Sequence, residues 1–249
     1  FDTLKALEVS GKLDREVLAY VTVPAANLGA RHDLQAHLQD KSQAIDASQY
    51  RYSTHVLEYQ AWDQVANAIN GSVLDRAESK VKVIFVPTYL NQNDGVFNKS
   101  YYELLVGMDL TIYPSYYEPW GYTPLESLAF RVPTLTTTLA GFGLWVRTYY
   151  GKNHPGITVL DRNDSNYFEV VDGVVERVIE MASLRKDSRK KYMKNALEVS
   201  EIALWDNQIV YYKEAYAKAL EKLIAVKGLY PAARTHKSME YRKFEVNHP

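Results

Sequence analysis

An α/β fold is predicted, with a parallel sheet covered by helices on both faces and a helical C-terminal extension. Three observations predict it. Short apolar, β-branched runs alternate with segments of helical period along residues 1–160. Turn-forming residues separate these runs. Three loops that follow strands, at 87–95, 114–122 and 138–143, would then share the carboxyl edge of the sheet, where ligands of such sheets bind. The chain divides on this reading into residues 1–205, the sheet-bearing domain, and 206–249, a C-terminal helix and tail.

The elements follow in order. Phe1, Leu4 and Leu7 share one helical face, although no capping residue precedes them. This uncapped start, without a methionine, leads us to expect a fragment of a longer chain. Val17–Val23 is apolar and β-branched, the pattern of a strand buried on both faces, and Pro24 ends it. Residues 31–48 read as a polar surface helix, and Gln49–Gln60 fits neither period. Ala61–Ile69 reads as a short helix ended by Asn70-Gly71. Lys82–Val86 is the next strand, followed by Pro87 and the turn-rich NQNDG.

A helix over Ser100–Val106 leads to a strand at Leu110–Tyr113. Thr123 suits an N-cap, Pro124 the first helical position, and Glu126 the third residue after the cap. Pro133–Thr138 is a strand, Ala140–Gly143 a glycine-rich loop before another helix, and Ile157–Leu160 a last strand. Helix dominates from about Asp164 to Ala225, and residues 227–249 read as a polar tail. The basic run Lys186–Lys194 reads foremost as a solvated helix face.

Composition limits the function classes. A net charge of −1 gives no case for broad nucleic-acid binding. No cysteine occurs, so no disulfide or thiolate metal site is expected, which fits a reducing cytoplasm. No apolar run approaches the ~20 residues that span a bilayer, so no membrane partner is expected. The sequons at Asn70, Asn98 and Asn163 then read as incidental.

The stretch Tyr113-Pro-Ser-Tyr-Tyr-Glu-Pro-Trp-Gly-Tyr-Thr-Pro-Leu-Glu126 carries the chemistry. Strand, tight aromatic loop and helix start follow one another, which aims backbone N–H groups and a helix dipole at one point. Glu118 and Glu126 flank that point. Carboxylates beside an anion cradle suit hydroxyl-rich partners, because they accept hydrogen bonds from hydroxyls.

SYYEPWGYTPLE, with Glu118 and Glu126 eight residues apart, and TTLAGFG (Thr137–Gly143) together resemble the signature of glycogen synthases of the fungal and animal type. The resemblance runs from about Val17 to about Leu223. It implies a Rossmann-like domain, the C-terminal half of a two-domain GT-B glycosyltransferase. The reaction it implies is retaining transfer of glucose from UDP-glucose or ADP-glucose to the non-reducing end of an α-1,4-glucan. Glu118 would hydrogen-bond the donor glucose near the reacting carbon, and Glu126 the ribose, against the alternative of a capping-box glutamate.

Trp120, Gly121, Tyr122 and Thr123 would offer N–H groups to glucose hydroxyls and diphosphate, and Tyr101 would stack on the base. Gly141 and Gly143 would lie beside the donor sugar, against the alternative of a turn that serves only the fold. Thr54-His55 matches a threonine-histidine pair of the family, with a satisfied structural histidine as an equal reading.

No cofactor is implied beyond the substrate, and no metal, since no Asp-x-Asp pair stands at a strand end. The family's regulated members carry an arginine-rich helix near the lysine-heavy run 186–194. An arginine and a lysine that meet the diphosphate lie, in the family, before the position of Phe1, as does an acceptor-binding N-terminal domain. The expected partners are therefore that domain, the donor and the glucan, and this chain alone is expected not to turn over. Base identity and formation of a homo-oligomer are open, as are two alternatives: another retaining GT-B transferase, and a non-catalytic nucleotide-sugar-binding module.

Overall fold

The computed structural model describes residues 1–46, 52–72 and 78–229. The order is α1 (Asp2–Ser10), β1 (Val17–Val21), β2 (Asn27–Ala30), α2 (His32–Gln39), β3 (His55–Leu57), α3 (Gln64–Asn70), β4 (Val81–Phe85), α4 (Tyr101–Leu105) and β5 (Thr111–Ile112). It continues with α5 (Tyr122–Ala129), β6 (Thr134–Thr137), α6 (Gly141–Tyr150), β7 (Asn153–His154), β8 (Ile157–Leu160), α7 (Tyr167–Ser183), α8 (Lys186–Glu201) and α9 (Trp205–Leu229).

The β-branched runs do form parallel strands joined through helices. β1 pairs with β4 over Val17↔Val81 to Val21↔Phe85. β5, β6 and β8 run parallel, with β7 antiparallel on the outer side of β8, in the order β5-β6-β8-β7. The predicted sheet thus falls into two hydrogen-bonded groups. A third, antiparallel pair, β2 with β3, has no counterpart in the sequence reading. The α/β class with helices packed around parallel strands stands.

Burial explains which runs became central. All four residues of β6 and all four of β8 are buried. Thr134 and Thr137 tolerate this because their hydroxyls donate to Val132 O (3.0 Å) and Ser115 O (2.7 Å). β1 differs from the expectation of burial on both faces: among the described residues it pairs with β4 alone, and Leu18 is half exposed. One core cluster joins Leu7 of α1, Ile69 of α3, Phe85 of β4, Leu135 of β6, Leu160 of β8 and Val174 of α7. Phe1 and Leu4 pack against it, as their shared face predicts.

Some boundaries moved. The helix expected over 31–48 is only α2, because Asp40 turns back to accept from Ser42 and Gln43. Residues 47–51 lie outside the described residues. α3 starts at Gln64, where Asp63 caps Ala66 N–H at 2.7 Å, and a 3-10 turn at Gln60–Trp62 precedes it.

The chain divides into two compact units, Phe1–Ile202 and Ala203–Pro249. The second unit contains α9, which is exposed at every residue from Val210 to Leu223. Helix continues to Leu229, through the first three residues of the expected tail, and 230–249 lie outside the described residues.

Candidate functional site

The loop after β5 is stitched to the start of α6 by its backbone. Glu118 N–H donates to Leu139 O at 3.1 Å, Gly141 N–H to Glu118 O at 3.1 Å, and Phe142 N–H to Trp120 O at 2.6 Å. The two strands of this clasp approach closely. A Cβ on Gly141 would stand 2.2 Å from Pro119 O, and one on Gly143 2.4 Å from Thr137 O. Only glycine fits at either place. The expected glycine loop is therefore the first turn of α6, and both glycines have a packing reason of their own.

The clasp fixes the main chain of Glu118 and leaves its side chain exposed, with no hydrogen-bond partner among the described residues. The neighbouring donors are also unspent. Among the described residues, no acceptor is found for the N–H groups of Trp120, Gly121, Tyr122 and Thr123. They lead into the N-terminus of α5, whose dipole points the same way. The geometry corrects the capping expectation. Gly121, at φ 101°, is the N-cap, no side chain caps the helix, and Pro124 is its third residue. The left-handed φ rules out Thr123 as cap by shifting the helix start two residues upstream.

Glu126 is consequently not a capping-box carboxylate. It lies half-buried in the second turn of α5, and its Oε1 accepts the Tyr102 hydroxyl at 3.1 Å. Tyr101, half-buried at the start of α4, meets the Tyr102 ring edge-on. Its hydroxyl lies 2.8 Å from that of Tyr113, which lies 2.8 Å from Ser127 Oγ. Burial pushes the Tyr113 phenol up, so its hydroxyl stays protonated. α4 is only five residues long, and a full capping box between Ser100 and Glu103 holds it.

Three site neighbours were missed in the sequence. Tyr102 turns its ring onto Phe130 (centroids 5.1 Å, 12° between planes). The adjacent Tyr101-Tyr102 and the i, i+4 pair Glu126 and Phe130 were the available signals. Arg162, after β8, donates to Pro114 O at 2.6 Å and lies 4.4 Å from the centre of the Tyr116 ring, which pins the entry of the loop. Ser127 ends the polar chain from Tyr101.

His55 falls to the structural reading. It is buried, and its ring nitrogens meet Thr54 Oγ1 at 2.8 Å and Asp94 O at 2.9 Å. The basic run is the first half of α8; its charges face solvent, and Arg189 pairs with Asp109. No group of three His, Cys, Asp or Glu placed to hold a metal occurs among the described residues. No described helix is long and apolar enough to cross a membrane.

Comparison with known proteins bears on this arrangement. The family model described as glycogen synthase matches residues 40–247. Glycogen [starch] synthase isoform 2 of Saccharomyces cerevisiae is 32% identical over 174 residues, 68% of this chain and 24% of that protein. Glycogen [starch] synthase of Caenorhabditis elegans is 30% identical over 153 residues, 61% of this chain and 23% of that one. Glycogen [starch] synthase of Dictyostelium discoideum is 34% identical over 154 residues, 61% and 17%. The chain thus spans about a quarter or less of the length of these relatives. A solved structure, WaaG, a glycosyltransferase involved in lipopolysaccharide biosynthesis, covers 80% of this chain and 46% of its own at 15% identity and a TM-score of 0.38, too loose a likeness to argue from.

Proposed function

The chain belongs to the glycogen synthase family, and from that premise we propose that it carries the donor-nucleotide site of a retaining glucosyltransferase. For the whole protein the proposed reaction moves glucose from UDP-glucose or ADP-glucose to the non-reducing end of an α-1,4-glucan. The cytoplasm is the proposed setting, and the glucan and an N-terminal acceptor-binding domain are the proposed partners.

One observation carries the reading. Glu118, a carboxylate with no partner among the described residues, stands beside four consecutive N–H groups at a helix N-terminus that likewise find no acceptor among them. The N–H groups and dipole suit a diphosphate whose charge grows as the glycosidic bond breaks. Glu118, being acceptor-only when ionised, suits sugar hydroxyls on the same spot. Glu126 keeps Oε2 open for ribose hydroxyls, and the half-exposed Tyr101 ring, one residue from the Tyr102 that holds Glu126, suits a base face. Gly121 lets the backbone come close to the ligand.

Calorimetric titration of this chain with UDP, ADP and their glucose conjugates tests the proposal. Binding of one nucleotide, weakened roughly tenfold or more by Tyr101→Ala, is expected, since base–aromatic stacking contributes about 1–3 kcal/mol. Binding of none, on this chain and on the full-length protein, overturns it. Glucosyl transfer by this chain alone would refute the narrower proposal that it binds donor without turning over.

A further inference from the structure

Tyr102 makes a contact that tertiary packing alone does not require. Its ring already ties α4 to α5 by lying flat on Phe130, and a phenylalanine would do that equally well. The residue is 43% exposed, so its hydroxyl could be left to water. Instead it donates to Glu126 Oε1 at 3.1 Å. Glu126 and Phe130, the C-cap of α5, are four residues apart, so the stack sets where the hydroxyl can sit, and the hydroxyl sets the carboxylate. The Tyr101 ring meets Tyr102 edge-on (5.4 Å, 61°), so Tyr102 touches both the Tyr101 ring and the Glu126 carboxylate.

We propose that Tyr102 is a positioning residue for the nucleotide ribose, holding Glu126 by one oxygen so that the other faces a vicinal diol. This rests on the donor-site reading and deepens it. An unrestrained glutamate must give up rotamer freedom to grip a ribose, and Tyr102 has removed that freedom beforehand. The hydrogen bond to Glu126 also holds the Tyr102 phenol above its ordinary range, so it remains a donor through neutral pH. The site should therefore distinguish ribose from deoxyribose, and Tyr102 should supply part of the distinction without touching the ligand.

The test compares UDP and ADP with their 2′-deoxy and 3′-deoxy counterparts by calorimetry. It uses the native chain, Tyr102→Phe, Glu126→Gln and the double variant. Tyr102→Phe keeps the stack on Phe130 and should leave the unfolding temperature unchanged. It should weaken the ribonucleotide roughly 3- to 10-fold, the worth of one hydrogen bond, and leave the deoxynucleotides unaffected. In the Glu126→Gln background it should add less than about twofold, because the two residues act as one unit. Equal weakening of ribo- and deoxynucleotides overturns the inference, as does an unchanged ribonucleotide affinity in Tyr102→Phe. If the native chain and the full-length protein bind no nucleotide, the donor-site reading falls and takes the inference with it. Ribonucleotide binding that responds to Tyr101→Ala but not to Tyr102→Phe removes the inference alone.

Discussion

Gly141 and Gly143 look interchangeable in the sequence with any turn glycine, yet each is fixed by a carbonyl less than 2.5 Å from where a Cβ would go. Backbone cannot yield as a flexible side chain can. Gly141→Ala must push Pro119 away and break the clasp that fixes Glu118, with a cost of about 1–3 kcal/mol or more. We expect denaturant unfolding to register that loss and nucleotide binding to fall with it. Glu118→Gln should do the opposite, because its carboxylate has no partner to lose among the described residues. Stability should stay within about 0.5 kcal/mol, while preference for the glucose conjugate over the bare nucleotide disappears. A second residue-scale effect is set by Asp33, whose carboxyl the buried Arg31 guanidinium beside it lowers to about 2. The unfolded carboxyl titrates near ~3.9. Its stabilisation is therefore complete above about pH 4 and lost as pH falls toward about 2, on the order of 2 kcal/mol. Asp33→Asn should lower stability at neutral pH and flatten the acid limb in that window, read by urea unfolding at several pH values.

Among the elements, α4 and α5 decide whether the site residues meet, and both depend on their first turns. α4 has five residues, too few to persist by propensity. Its capping box joins Ser100 Oγ to Glu103 N–H and the Glu103 carboxylate to Ser100 N–H at 2.8 Å. Ser100→Ala should cost about 1 kcal/mol and weaken nucleotide binding, since Tyr101 and Tyr102 are the next two residues. Thr123 gives the contrasting case. As an N-cap its loss would cost about 1 kcal/mol, but Gly121 holds that position and Thr123 is exposed. Thr123→Ala should be nearly neutral in thermal unfolding, and a cap-sized loss would return the helix start to where the sequence alone puts it. The sequence was legible in the strands it got right for a physical reason: Thr134–Thr137 and Ile157–Leu160 are buried at every residue and Val81–Phe85 at every second one, so each keeps its apolar or β-branched residues where the sheet needs them. β2 and β3 escaped because Asn27-Leu-Gly-Ala30 and His55-Val-Leu57 are too short for a period, and their pairing is non-local. The glycine clasp and Tyr102 escaped for a related reason. A close backbone approach or a cross-helix hydroxyl is a fact of distance between segments, and composition does not encode it.

At the scale of the whole molecule, twelve contiguous residues carry most of the proposed site, whereas the core is dispersed along the chain. That core runs from Leu7 to Val178 and includes residues of both parallel strand groups, Phe85 from one and Leu135 from the other. Segments far apart in sequence therefore share a single buried cluster within Phe1–Ile202. Leu7, fully buried, contributes from the first helix, and α1 packs on α7. Leu7→Ala should cost about 2–5 kcal/mol by lost transfer and a cavity. If the cluster makes the unit cooperative, that loss must reach the site, which α1 does not itself form. The measurement is denaturant unfolding followed by tryptophan fluorescence in a Trp62→Phe, Trp205→Phe background, where Trp120 and Trp145 report on the clasp. Far-UV circular dichroism is recorded on the same samples. Coincident midpoints, shifted together by Leu7→Ala, are expected of one cooperative unit. A fluorescence midpoint that ignores Leu7→Ala would mean that the clasp region, with its own aromatic packing of Trp120 on Phe142 and Trp145, is stable apart from the α1 end of the core.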